Sequence, residues 1–132
     1  TEVHNSAMSM DLLPTIADYC EVSEMPEGVE GVTLRSMLEG NDQQLRNTMR
    51  WNMRGDRWAV RHGPWKLLFN PRDDTKEYPK LDTNGKDRYF LANLEMDRSE
   101  SRNLSSEYPE KVEELISVYK EWDHAIPVEA IR

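Results

Sequence analysis

The stretch that most constrains this fold is Trp58-Ala-Val-Arg-His-Gly-Pro-Trp-Lys-Leu-Leu-Phe-Asn70. With a period of two, Trp58 and Val60 fall on one face and Ala59 and Arg61 on the other. Trp65, Leu67 and Phe69 resume the alternation after His62-Gly63-Pro64. Glycine tolerates a positive φ and proline donates nothing to a sheet ladder, so the stretch reads as a β-hairpin with one apolar face. A two-stranded ribbon is marginal in water by itself. Two tryptophans on one side therefore require further strands and a cover.

Both are present in the sequence. Met49, Trp51 and Met53 alternate with Thr48, Arg50, Asn52 and Arg54, which predicts a strand over 48–54. Gly55-Asp56 joins it to strands over 57–62 and 64–70. A fourth strand over 88–94 carries Tyr89, Phe90, Leu91 and Leu94, is apolar on both faces, and is expected to be covered on both or central. Between them, Pro71 to Arg88 reads as a charged loop with a turn at Asn84-Gly85. The cover is a helix over 107–123. Val112, Leu115, Ile116, Tyr119 and Trp122 recur at helical spacing, Ser106 is the expected N-cap and Pro109 falls in the first turn. Tyr119 and Trp122 are expected near the hairpin tryptophans. These elements make an α+β fold, a four-stranded antiparallel sheet packed against a long C-terminal helix, over residues 46–132.

Residues 1–45 read differently. Asp11 precedes Leu-Leu-Pro-Thr-Ile-Ala, predicting a helix over about 11–20 with the Asp11 side chain as cap and Pro14 in the first turn. Leu12, Leu13, Ile16 and Cys20 share one face of it. Glu24 to Gly31 is a loop, and Val32 to Leu38 holds at most a short turn of helix.

Charge and composition exclude several classes. Seventeen Lys plus Arg stand against 25 Asp plus Glu, a net charge of -8, which disfavours nucleic acid and anionic membranes as partners. No apolar run approaches the roughly 20 residues of a membrane span, and the first residues lack the basic-then-apolar layout of a signal peptide. The lone Cys20 permits no internal disulfide and is expected to be a small buried hydrophobe rather than a reactive thiol. His4, His62 and His124 form no pair at metal-ligand spacing. Asp82-Thr-Asn-Gly-Lys-Asp87 has its glycine two places too early for a helix-loop-helix calcium loop and reads as a solvated turn. Asn103-Leu-Ser105 fits a glycosylation acceptor, and neither a phosphate-binding glycine loop nor a Gly-x-Ser-x-Gly elbow occurs. Arg61, His62 and Lys66, around the hairpin turn, are candidates for an anion-contacting edge; the alternative is a charged rim on a half-buried sheet.

Five pieces together resemble a known family. Asp11-Leu-Leu-Pro-Thr-Ile-Ala, Gly31-Val-Thr-Leu with Leu38-Glu-Gly40, the Trp58 hairpin through Trp65-Lys-Leu-Leu, Leu94 with Asp97, Glu100 and Asn103-Leu104, and Pro109-Glu-Lys-Val-Glu-Glu-Leu115 are similar, in order and spacing, to the C-terminal part of the type I, formylglycine-dependent sulfatases. Glu21 is a departure, because many relatives place a glycine there to end the first helix.

The resemblance implies that residues 1–45 are the tail of a larger α/β sulfatase domain and 46–132 its C-terminal subdomain. It also implies that the defining machinery lies elsewhere. The family's Cys/Ser-x-Pro-Ser-Arg motif, converted to formylglycine, and the calcium-binding aspartates and asparagine all precede the Asp-Leu-Leu-Pro-Thr helix. Cys20, followed by Glu-Val-Ser-Glu, is not that nucleophile. No cofactor is therefore expected in this chain, and no catalytic or metal-binding residue; calcium and formylglycine belong to the missing N-terminal part. That part is the implied partner, a sulfated carbohydrate or aryl sulfate the implied substrate of the parent, and the periplasm or exterior the implied location. Trp51, Arg61, His62 and Lys66 are the candidate substrate-facing residues. The competing class is a non-catalytic carbohydrate- or protein-binding module. Leu12, Leu13, Ile16, Leu34 and Leu38, without the large domain, are expected to meet a neighbouring chain in a homo-oligomer through residues 1–45, to fold back on the sheet, or to be poorly ordered.

Overall fold

The computed structural model describes residues 5–22, 24–41, 45–72 and 87–125. His4, the Asn84-Gly85 turn and most of the Asp82 to Asp87 stretch lie outside them. The chain divides into two compact units, Thr1–Asn47 and Thr48–Arg132.

In the first unit a 3-10 turn, Ser9–Asp11, leads into helix α1 (Leu12–Tyr19), and a single helical turn, α2 (Arg35–Leu38), follows later. The expected cap does not form. Asp11 is fully buried and its carboxylate is aimed away from the helix: Met8 N donates to Oδ2 at 2.8 Å, Val32 N to Oδ1 at 3.0 Å, and Arg46 Nη2 to Oδ1 at 2.7 Å. Thr15 Oγ1 accepts from Leu34 N at 2.9 Å, and Thr33 Oγ1 donates to Asp18 Oδ2 at 2.7 Å. The polar side of α1 is thus laced to residues 32–34. Gly31 makes the close approach possible, since a Cβ there would stand 2.1 Å from the Met10 carbonyl oxygen.

The apolar side of α1 faces outward as a consequence. Leu12, Leu13 and Ile16 are 58%, 53% and 60% exposed, Leu38 is exposed too, and only Leu34 of that set is buried. Cys20, expected to be buried, is exposed. It ends the helix in a Schellman arrangement: Val22 N donates to Ala17 O, Glu21 N donates to Asp18 O, and Glu21 sits at φ 57°.

The second unit holds β1 (Thr48–Met53), β2 (Arg57–His62), β3 (Trp65–Phe69), β4 (Tyr89–Asn93) and helix α3 (Pro109–Ala125). The strands form one antiparallel sheet in the order β1-β2-β3-β4. The register pairs Trp58 with Phe69, Val60 with Leu67 and His62 with Trp65, then Leu67 with Leu91. Directly opposed residues share a face, so Val60, Leu67 and Leu91 meet Val112, Leu115 and Tyr119 of α3 in one buried core. Trp58 stacks on Tyr119 with centroids 4.1 Å apart, and Trp122 adjoins Tyr119 at 6.0 Å. Trp65 instead meets Tyr108, at 5.2 Å.

β1 turns its polar face toward α3: Arg50 opposes Val60 and Asn52 opposes Trp58. Arg50 Nε donates to Val118 O at 3.2 Å, and the Tyr119 hydroxyl donates to Asn52 Oδ1. Burial, with the nearby Asp123 carboxylate, pushes the Tyr119 phenol up to about 12. β4 is an edge strand rather than a central one, and of the two alternatives it is the covered one: Leu91 and Ala92, on opposite faces, are both fully buried, and the outer side is closed by Asn103 and Leu104. Ser106 does not cap α3, which starts at Pro109 with the Tyr108 carbonyl accepting from Val112 N.

Candidate functional site

The sheet separates the four residues that sequence reasoning had grouped. Arg61 opposes Lys66 and Met49, and Trp51 opposes Ala59, so Trp51, Arg61 and Lys66 share the face turned away from α3. His62 lies on the other face beside Trp65, its Nδ1 2.7 Å from Thr48 Oγ1. Lys66 is neutralised locally, with Nζ 2.7 Å from Glu100 Oε1. Arg61 Nε donates to Gly63 O at 3.0 Å, which fixes the guanidinium against the turn.

Arg57, which is not among the sequence candidates, lies on the same face. It precedes Ala59 and Arg61 at a period of two, so all three project from the face that carries Trp51. That signal was readable from the alternation alone. Arg57 Nε donates to Arg54 O at 3.2 Å. Residues 48–62 contain four arginines and one aspartate, a local cationic excess within a chain of net charge -8.

The loop after β4 is held by side chains rather than by regular structure. The Asp97 carboxylate accepts from Ser99 Oγ, Ser101 Oγ and the amides of Ser101 and Arg102, which holds its carboxyl below the usual range. Asn103 Oδ1 accepts from Leu91 N and Ser105 N, while its Nδ2 donates to Tyr89 O and Asp87 Oδ1. The glycosylation-acceptor nitrogen is therefore occupied by two hydrogen bonds. Leu104 N donates to Leu91 O at 2.8 Å and completes the closure of the β4 edge.

No sequence family and no curated protein matches the chain. Solved structures do. One, BT33336S-sulf, comes from work on the metabolism of multiple glycosaminoglycans by Bacteroides thetaiotaomicron; it matches at 22% identity and a TM-score of 0.56 over 82% of this chain and 23% of its own. Another, BT4656 in complex with its substrate D-glucosamine-2-N,6-O-disulfate, matches at 20% identity and a TM-score of 0.58 over 86% of this chain and 23% of its own. The chain has the fold of a C-terminal part of a sulfatase. It spans less than a quarter of the sulfatase chains it overlays.

The residues that carried the sequence resemblance have structural duties in this sulfatase-like fold. Asp11 and Gly31 join α1 to the 32–34 segment, Lys66 pairs with Glu100, Asp97 ties its loop, and Asn103 closes β4. Among the described residues no three His, Cys, Asp or Glu side chains are grouped to hold a metal ion. Cys20 sits exposed at a helix end without the Pro-Ser-Arg that a formylglycine precursor needs.

Proposed function

We propose that this chain is the C-terminal portion of a sulfuric ester hydrolase, a subdomain that buttresses a catalytic domain and lines one wall of its substrate cleft. The observation that carries the reading is the overlay of more than four fifths of this chain on sulfatase structures. It agrees with the finding that the resemblance-bearing residues are occupied in holding the fold. Catalysis, with formylglycine and calcium, falls to the missing N-terminal part of the polypeptide. Trp51 and Arg61, from one face of the sheet, are the residues of this chain offered to the cleft, and His62 and Lys66 bound the same hairpin turn. A sulfated sugar, the substrate class of BT4656, is the proposed substrate of the whole enzyme.

Two measurements test this. The isolated chain is expected to release no phenol from an aryl sulfate above the blank, with or without calcium; turnover by the chain alone overturns the reading. The coding sequence upstream is expected to contain Cys/Ser-x-Pro-Ser-Arg, and a longer polypeptide that includes it to hydrolyse a sulfate ester.

A further inference from the structure

We propose that the outer edge of β1 is a docking site for an extended acidic peptide segment of another protein, which adds to the sheet as a further strand. The proposal goes beyond the hydrolase reading, and neither stands or falls with the other.

The two edges of the sheet differ. Along the outer side of β4, Asn103 Oδ1 accepts from Leu91 N at 3.1 Å, Asn103 Nδ2 donates to Tyr89 O at 3.0 Å and Leu104 N donates to Leu91 O at 2.8 Å. β1 is the opposite edge. Among the described residues, no hydrogen bond from outside the β1–β2 ladder reaches the backbone of Thr48–Met53. Alternate residues of an edge strand direct N–H and C=O away from the neighbouring strand. β1 therefore carries a row of open donors and acceptors, which an extended peptide satisfies by strand addition.

Burial locates the open part. Met49 is buried, Arg50 and Trp51 are half-buried, and Asn52, Met53 and Arg54 are exposed. The cover that buries Met49 thus stops short of the end of the strand, and the half from Arg50 to the turn is accessible along its edge.

The charges there say what kind of segment fits. Arg35, Arg46 and Arg102 each pair with a carboxylate; among the described residues no carboxylate pairs with Arg50, Arg54 or Arg57. Arg50 Nε donates to Val118 O at 3.2 Å, which fixes the side chain and leaves its terminal N–H groups for a ligand. Unpaired arginines gathered at one edge of a chain of net charge -8 favour an anionic partner at that place, and the arginine fork takes a carboxylate through two parallel hydrogen bonds. Arg50 and Asn52 project toward α3, Trp51 and Met53 project the other way, and Arg54 follows at the turn. Opposed residues of paired strands share a face. The complementary segment therefore runs acidic, apolar, polar, apolar, acidic, with its carboxylates at Arg50 and Arg54 and its apolar side chains beside Trp51 and Met53. A second copy of β1 brings the same arginines to the edge and is the poorer occupant.

The test is fluorescence anisotropy of the intact chain with a fluorescein-labelled peptide built on Glu-Val-Thr-Val-Glu. It is compared with its Lys-Val-Thr-Val-Lys counterpart and with two forms N-methylated on alternate residues, one for each set of amides. The acidic peptide is expected to bind saturably and at least tenfold more tightly than the basic one. One N-methylated form is expected to lose at least tenfold in affinity and the other to keep it, because only one set of amides faces β1. Saturation is expected to slow amide hydrogen exchange within Thr48–Met53. Arg54→Glu, an exposed position whose fold is checked by far-UV circular dichroism, is expected to reverse the preference toward the basic peptide. Absence of saturable binding overturns the proposal. So do equal binding of the acidic and basic peptides, parental affinity in both N-methylated forms, unchanged exchange in Thr48–Met53, or an unaltered preference in Arg54→Glu.

Discussion

At the scale of single residues, the most informative position is Asp11, whose carboxylate satisfies two backbone amides and one guanidinium from a fully buried place. Burial alone would raise its pKa, but the bonds from Val32 N, Met8 N and Arg46 outweigh it and hold the group below its ordinary range. A depressed native pKa contributes stability that is complete above the unfolded value near 4 and lost as pH falls through the native one. The Thr1–Asn47 unit is therefore expected to lose stability progressively as pH falls below about 4, visible as faster hydrogen exchange at the Val32 and Leu34 amides. Asp11→Asn should reproduce that exchange at neutral pH, at a cost of roughly 2–3 kcal/mol, because it leaves the Arg46 charge without its partner. Glu21 makes the opposite case. At φ 57° it occupies the left-handed position that favours glycine, so Glu21→Gly should stabilise the unit by about 1 kcal/mol in urea unfolding. Glu21, the departure from the resemblance, is one of three non-glycine residues with positive φ among the described residues, with Asn70 and Glu100.

At the scale of elements, the period-two and helical patterns identified every strand and the long helix to within one or two residues, because alternation and spacing are local properties of the chain. What they leave open is which side each element turns inward. α1 and β1 both have a clean apolar face, and both use the polar one for internal contacts: Asp11, Thr15 and Asp18 in α1, Arg50 and Asn52 in β1. An apolar face reports that something covers it, not that the same chain does. The arrangement of the candidate residues was half legible: Trp51 and Arg61 fall on one face of the sheet as the alternation requires, and His62 falls on the other because adjacent strand residues point to opposite faces. The β4 edge was illegible for a different reason, since it depends on a side chain ten residues beyond the strand. Asn103→Ala removes the acceptor for Leu91 N and Ser105 N. A loss of about 1–3 kcal/mol is expected, with Leu91 amide exchange rising more than that of Val60 in the interior of the sheet.

At the scale of the whole molecule, the two units differ in how complete they are. Thr48–Arg132 has a core closed by its own helix on one side of the sheet, whereas Thr1–Asn47 presents Leu12, Leu13 and Ile16 to solvent. Contiguous exposed leucine and isoleucine drive association. Sedimentation velocity is expected to show concentration-dependent self-association of the chain, which the double variant Leu12→Ser, Ile16→Ser removes without changing the far-UV circular dichroism. A strictly monomeric wild type at millimolar concentration would contradict this. The uneven distribution of chromophores adds a practical consequence. All four tryptophans belong to the second unit, while Tyr19 is the sole aromatic of the first and its neighbour Cys20 is the chain's single thiol, exposed to solvent. Intrinsic fluorescence excited at the red edge therefore follows Thr48–Arg132 alone, and a maleimide dye on Cys20 follows Thr1–Asn47. With no engineered reporter, one sample yields two separate melting curves, and their coincidence or separation measures how strongly the two units are coupled.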